Sequence, residues 1–215
     1  FIPQEVEKER KSFLEYYQQS IAESKVEQHQ TQDLHQLQTS PHCLLCDVLS
    51  LELQEKTRIV RSNDSFVLLV PFWATWPFET LLLPRSHLPS FTSLSEKEKT
   101  DLAEIISQTT IMYDNLFQTP FPYSMGFHQC PNPKFFSHPT TNPVNPALPL
   151  SKEEAFPEWH FHAHYYPPLL RSATVKKFMV GYEMLGNVGR DLTAEMAAKR
   201  LRELPMVHYS EKKKD

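Results

Sequence analysis

The stretch Trp159-His160-Phe161-His162-Ala163-His164-Tyr165-Tyr166 constrains this chain more than any other. Three histidines alternate with Trp, Phe, Ala and Tyr at a period of two, the side-chain period of a β-strand. On a strand, His160, His162 and His164 share one face, and Trp159, Phe161, Ala163 and Tyr165 take the other. On a helix the three imidazoles would diverge. A half-buried strand with an incidentally polar face accounts for one such histidine. Three in succession, in a chain with ten in all, point to a site. Imidazoles held side by side serve as metal ligands, or as a nucleophile with supporting hydrogen bonds.

Charge and cysteine usage narrow what such a site can serve. The net charge of −4 leaves no electrostatic footprint for nucleic acid, and the one basic run is Lys212-Lys213-Lys214. No apolar stretch approaches the length of a membrane span, and no signal peptide opens the chain. Three cysteines, two of them close together, make no disulfide framework and point to a reducing, cytoplasmic location. Four glycines against eighteen prolines leave no room for a phosphate-cradling loop outside Gly181–Gly189, and neither GxGxxG nor GxxxxGK occurs. The chain opens Phe1-Ile2-Pro3 and reads as the continuation of something earlier.

Residues 4–30 are polar, with Val6, Phe13, Leu14, Tyr17 and Ile21 on one helical face, so a helix lays that stripe on the body. Residues 31–42 read as a loop. Strands are expected at about Thr57–Ser62, Phe66–Phe72 and Glu79–Pro84, the first two joined by a hairpin at Asn63-Asp64. Ser95-Glu96-Lys97-Glu98 is a capping box opening a helix to about Phe117, with Leu102, Ile105, Ile106, Thr109, Met112 and Leu116 facing the core. Residues 122–129 form a strand ending at His128, and a Pro/Asn-rich inserted loop fills 130–158. Lys176–Leu185 reads as a further strand. Thr193–Leu204 reads as a short helix with Ala197, Leu201 and Leu204 inward. The order makes an α+β fold, a sheet with helices on one side.

Two sets of residues carry metal chemistry. Cys43-x2-Cys46 has the spacing of two thiolates on one tetrahedral Zn²⁺, and two inert buried thiols are the alternative. A redox pair would need a helix N-terminus and a thioredoxin-like context, neither of which the sequence displays. His128, His162 and His164 with Glu9 would suit Fe²⁺ or Zn²⁺ by ligand softness. Spacing alone does not single out Glu9, whose default is a surface carboxylate.

At this point the residues resemble a known family. His160-Phe161-His162-Ala163-His164-Tyr165-Tyr166 is similar to the H-φ-H-φ-H-φ-φ motif of the histidine-triad superfamily. Val70-Pro71-Phe72-Trp73-Ala74-Thr75-Trp76-Pro77-Phe78-Glu79-Thr80-Leu81-Leu82-Leu83-Pro84 resembles the C-terminal half of galactose-1-phosphate uridylyltransferases. So do Phe121-Pro122-Tyr123-Ser124-Met125-Gly126, the run from Tyr166 to Val175, Lys177 to Leu185, and Arg190-Asp191-Leu192-Thr193. The resemblance implies a histidine-triad-like half with an antiparallel sheet and helices on one face. Residues 1–30 would be an arm continuing from a preceding half, and 31–215 the domain itself. It implies ping-pong transfer of UMP from UDP-glucose to galactose 1-phosphate through a uridylyl-histidine in a His-Pro-His segment, which this sequence lacks. That nucleophile would come from an N-terminal half.

Carried over residue by residue, the resemblance makes Glu9, His128, His162 and His164 the ligands of an iron-type site. It puts Lys177, Phe178, Val180, Tyr182 and Glu183 near the sugar and phosphate of UDP-hexose in the other subunit of a homodimer. Gly189 is a departure: the family usually has Gln before Arg-Asp-Leu-Thr. By pseudo-symmetry with the family's first half, Cys43, Cys46, His87 and His160 would hold a Zn²⁺ that staples the loop to the sheet. Competing readings are a free-standing hydrolase with His162 attacking a nucleotide phosphorus, a non-catalytic metal-binding partner half, and a mononuclear iron oxygenase.

Overall fold

Short apolar strands stay folded only when neighbours complete their hydrogen bonds and cover their faces. In the computed structural model, which describes residues 3–28, 43–131, 157–167, 181–187 and 189–211, they do so in one sheet. Its strands are β1 (Ile59–Ser62), β2 (Phe66–Leu69), β3 (Thr80–Pro84), β4 (Ser124–His128) and β5 (His162–Tyr166). Their spatial order is β1-β2-β3-β5-β4, and every pairing is antiparallel. The α+β expectation holds, and the three early strands are each shorter than the sequence suggests.

The chain divides into two units, one from Phe1–Ser50, His87–Ser93 and Gln129–Phe161, the other from Leu51–Ser86, Leu94–His128 and His162–Asp215. The sheet belongs wholly to the second. Its centre is β2 and β3, whose residues Phe66–Leu69 and Thr80–Pro84 are all buried. The predicted hairpin closes as its residues dictate: Asn63 Oδ1 accepts the amides of Ser65 at 3.2 Å and Phe66 at 2.9 Å. Helices α3 (Glu96–Phe117) and α5 (Ala194–Arg202) pack together and against β2 and β1. Of the predicted α3 stripe, Leu102, Ile105, Thr109, Met112 and Leu116 are buried, and Tyr113 and Asn115 join them. The buried Thr109 hydroxyl donates to Ile105 O at 2.6 Å, which satisfies it without leaving the helix.

Helix α3 starts where its capping box says. Ser95 is the N-cap; its Oγ accepts the Glu98 amide at 3.3 Å, and the Ser95 amide donates to Glu98 Oε2 at 2.8 Å. Replacing Ser95 with Ala is expected to cost about 1 kcal/mol. A thermal melt should then move down by roughly 2–4 °C.

The first unit is built on α1 (Gln4–Gln28) and the opening turns of α2 (Leu44–Glu55). The predicted stripe of α1 faces inward at Phe13, which is buried and meets Trp159 edge to face at 5.4 Å. Tyr16 donates from its hydroxyl to Asp47 Oδ2 at 2.8 Å, joining α1 to α2. The approach to β5 is held by Phe161 N–H donating to Leu88 O at 2.6 Å, and Cys130 N–H donates to Pro89 O at 2.8 Å.

Three expectations need correcting. Helix α2 begins immediately after Cys43, where no helix was expected, so the cysteine pair does stand at a helix N-terminus. The strand expected at Lys176–Leu185 is contradicted where its residues are described: Tyr182–Leu185 is a single helical turn, α4, and residues 176–180 lie outside the described residues. Gly181 just before it has φ +50°, a backbone angle outside the strand region. Finally, His160 is not part of the ladder, which begins at the His128–His162 pair, because the Phe161 amide is spent on Leu88 instead. The 31–42 loop and nearly all of the 130–158 insertion lie outside the described residues.

Candidate metal centres

Cys43 is buried just ahead of α2, and Cys46 lies in the first turn of that helix, which aims both sulfurs the same way. His87 follows β3, and His160 precedes β5. The four side chains come together inside the first unit, with one donor atom from each within 4.8 Å of the others. Cys46 Sγ lies 3.4 Å from His87 Nδ1 and 3.3 Å from His160 Nδ1, and Cys43 Sγ lies 3.6 Å from His160 Nδ1. A tetrahedral zinc with bonds of about 2.3 Å to sulfur and about 2.05 Å to nitrogen sets those atoms about 3.6 Å apart. The donor set therefore fits the ion in chemistry and in spacing. A hydrogen bond from Cys46 holds the Cys43 thiol well below the usual cysteine range. The same bond, with burial, pushes Cys46 up. His87 and His160 stand edge to face with their ring centres 5.3 Å apart.

The second constellation belongs to the sheet. His162 and His164 are two residues apart on β5, so they share a face. His128 pairs directly with His162 across the β4–β5 ladder and adds a third imidazole to it. Ring centres lie 4.9 Å apart for His128–His162, 4.8 Å for His128–His164 and 5.0 Å for His162–His164. Opposite His164 is Gly126, which puts no side chain on that face. Ala163 and Tyr165 point the other way, where Tyr165 meets Tyr113 of α3 at 6.1 Å between ring centres. The alternation read from the sequence thus holds for His162 and His164, and His160 serves the other cluster. The three imidazoles offer donor atoms within 4.8 Å of one another, a set suited to Fe²⁺ or Zn²⁺. Glu9 is half-buried on α1, in the first unit.

Of the residues expected near UDP-hexose, Tyr182 and Glu183 open α4, the ring exposed and the carboxylate half-buried. Lys177, Phe178 and Val180 lie outside the described residues. An aromatic pocket of about 220 Å³ between Trp76, Pro122, Tyr123, Ser124, Tyr166 and Pro167 was not anticipated. Its signal was present in the alternation, which turns Tyr166 outward beside His164.

The model of the family "Galactose-1-phosphate uridyl transferase, C-terminal domain" matches residues 9–213. The chain belongs to the galactose-1-phosphate uridylyltransferase family. Among curated galactose-1-phosphate uridylyltransferases, that of Haemophilus influenzae is 52% identical over 171 residues, covering 80% of this chain. That of Saccharomyces cerevisiae is 44% identical over 209 residues, covering 97%. That of Rattus norvegicus is 47% identical over 189 residues, covering 88%. The chain spans about half the length of these relatives: 44%, 47% and 45% in turn. Among solved structures, a uridylyltransferase mutant superposes with a TM-score of 0.65 at 25% identity, over 94% of this chain and 53% of that one. An ADP-glucose phosphorylase from Arabidopsis thaliana shares the fold at a TM-score of 0.61 and 20% identity, over 95% of this chain and 51% of that one. Within the uridylyltransferase family frame, no helix among the described residues is long and apolar enough to cross a membrane.

Proposed function

We propose that this chain works as the C-terminal half of a UDP-glucose–hexose-1-phosphate uridylyltransferase in the cytoplasm. The observation that carries the reading is the match to galactose-1-phosphate uridylyltransferases along 97% of the chain and over about half of theirs. The reaction moves UMP in two displacements. A histidine nitrogen bonds to the α-phosphorus of UDP-glucose as glucose 1-phosphate leaves. A phosphate oxygen of galactose 1-phosphate then takes that phosphorus, freeing the histidine and giving UDP-galactose. The nucleophile is assigned to the partner N-terminal half, because no His-Pro-His occurs in these 215 residues.

In this half, His128, His162 and His164 hold Fe²⁺ or Zn²⁺, and the resemblance adds Glu9 as the fourth ligand. Cys43, Cys46, His87 and His160 hold Zn²⁺. Bound at a closed ligand set, each ion supplies folding energy and rigidity. Lys177, Phe178, Val180, Tyr182 and Glu183 are assigned to UDP-hexose across a homodimer. The lysine offsets phosphate charge, and the carboxylate accepts hydrogen bonds from sugar hydroxyls.

Initial rates of the full-length protein with UDP-glucose and galactose 1-phosphate test this. Parallel double-reciprocal lines are expected, with no activity when the nucleophile's half is removed. Release of nucleoside monophosphate by the present chain alone, abolished in His162→Ala, would replace the transferase with a hydrolase.

A further inference from the structure

The arginines around β1 are matched very differently. Arg58, just before the strand, has two carboxylates, Glu52 at 2.8 Å and Glu195 at 3.0 Å. Arg61, inside the strand, has none. Its Nη2 donates to the carbonyl oxygen of Leu204, two residues past α5, at 3.0 Å. Its Nε is buried and has no hydrogen-bond partner among the described residues. Arg202, the last residue of α5, reaches the opposite way: its Nη1 donates to the carbonyl oxygens of Thr57, at 3.2 Å, and Ile59. Both half-buried guanidiniums therefore lie in the seam where α5 packs on β1, an edge strand of the sheet. Among the described residues no carboxylate is paired with either. Glu203, next along the chain, lies 3.9 Å from Lys199 instead.

An arginine keeps its charge at any working pH, so it cannot relieve a neighbour by losing a proton. The two heads are close enough for one charge to act on the other: burial first, and the positive charge of Arg202 second, push the Arg61 guanidinium below its ordinary value. Carbonyl oxygens satisfy single N–H groups, but they are neutral and leave the charge uncancelled. Each guanidinium has five N–H groups, and the three carbonyls of Leu204, Thr57 and Ile59 use few of them.

We propose that Arg61 and Arg202 form an anion site in the seam between β1 and α5, for the phosphate group of a small molecule. A guanidinium fork matches two phosphate oxygens at once, and two forks match the double charge of a phosphate. Partial burial strengthens such charge-assisted bonds over those of exposed arginines. The site is distinct from both metal-ligand clusters and from the residues assigned to UDP-hexose, none of which stands on β1 or α5.

Thermal melts of the full-length protein in sodium phosphate, and in sodium chloride of equal ionic strength, test the site. At about fifty times its Kd, inorganic phosphate should raise the melting temperature by roughly 3–5 °C over chloride. Arg61→Met should lose most of that rise. In chloride the same variant should melt no lower than the parent, because it removes a repulsion along with one bond to Leu204. Arg61→Lys keeps the charge without the fork and should keep a smaller part of the rise. Methyl phosphate distinguishes the sources: an equal rise assigns the site to phosphate monoesters, and a rise with inorganic phosphate alone assigns it to the free ion. No rise in the parent beyond chloride overturns the site. So does an equal rise in Arg61→Met, which would leave that arginine a clasp on the Leu204 carbonyl and nothing more.

Discussion

Replacing Cys43 and Cys46 together with Ser will remove one sulfur-bound zinc from the chain and lower its melting temperature by roughly 8–16 °C. Three sulfur–nitrogen separations, Cys46–His160, Cys46–His87 and Cys43–His160, are already 3.3–3.6 Å, close to what a tetrahedral zinc imposes. A ligand held by the folded state alone at a thousand times its Kd contributes about 4 kcal/mol. In a domain of this size each kcal/mol is worth roughly 2–4 °C. Plasma mass spectrometry counts the metal, and the X-ray absorption edge with its sulfur shell at about 2.3 Å identifies it. The parent should carry two metals per chain, and the double variant should keep only the one held by nitrogen and oxygen. Unchanged zinc content would retire the cysteine site. The variant also separates the two centres, because none of its substitutions touches His128, His162 or His164.

Arg58→Met should cost about 3–5 kcal/mol. Glu52 is a carboxylate on α2 with 2% exposure, and Arg58 is its cation: Nε reaches Glu52 Oε1 at 2.8 Å and Oε2 at 3.1 Å. The guanidinium also donates from Nη1 to Glu195 Oε1 at 3.0 Å, tying in α5. Removing the arginine leaves a buried charge without compensation. Changing both residues to Met removes the charge as well and should recover most of the loss, since a buried ion pair contributes little net over well-packed apolar groups. Urea unfolding of the parent, Arg58→Met and Glu52→Met/Arg58→Met gives the three midpoints. A single variant as stable as the parent would mean that Glu52 finds water or another donor.

The same glutamate explains why α2 was not legible in the sequence. Leu45, Leu49 and Glu52 are the buried stripe of that helix, at spacings of four and three, and a carboxylate in an inward position breaks the apolar pattern that reveals such a stripe. Arg58 compensates the burial from six residues on, beyond the last residue of the helix, so the pairing leaves no mark in the helical periodicity. Devices confined to a few adjacent residues were readable: the Ser95–Glu98 capping box, the Asn63 hairpin and the two-residue alternation on β5. His160 fell between these cases. Its alternation looks like strand, yet the ladder stops one step earlier because Phe161 bonds to Leu88. The grouping of both donor sets was read from family resemblance, and the geometry within each unit supplies the distances. The helical turn at Tyr182–Leu185 was missed because a positive φ at one glycine leaves no periodic trace.

The facing pair His128 and His162 has a consequence for strand slippage. β4 is an edge of the sheet, bonded among the described residues to β5 alone, and its residues are at most half-buried. Little apolar surface therefore resists its sliding by one place, as edge strands are prone to do. Such a slide would turn His128 toward the α3 side and leave two imidazoles where three had stood. An ion that needs all three would bind one alignment and discriminate against the neighbouring ones, so a metal held there would act as a ratchet pawl on the edge of the sheet. Amide hydrogens of Ser124–His128 should then exchange with solvent at rates set by how tightly the ion is held, while those of β2 and β3 keep the rhythm of global unfolding.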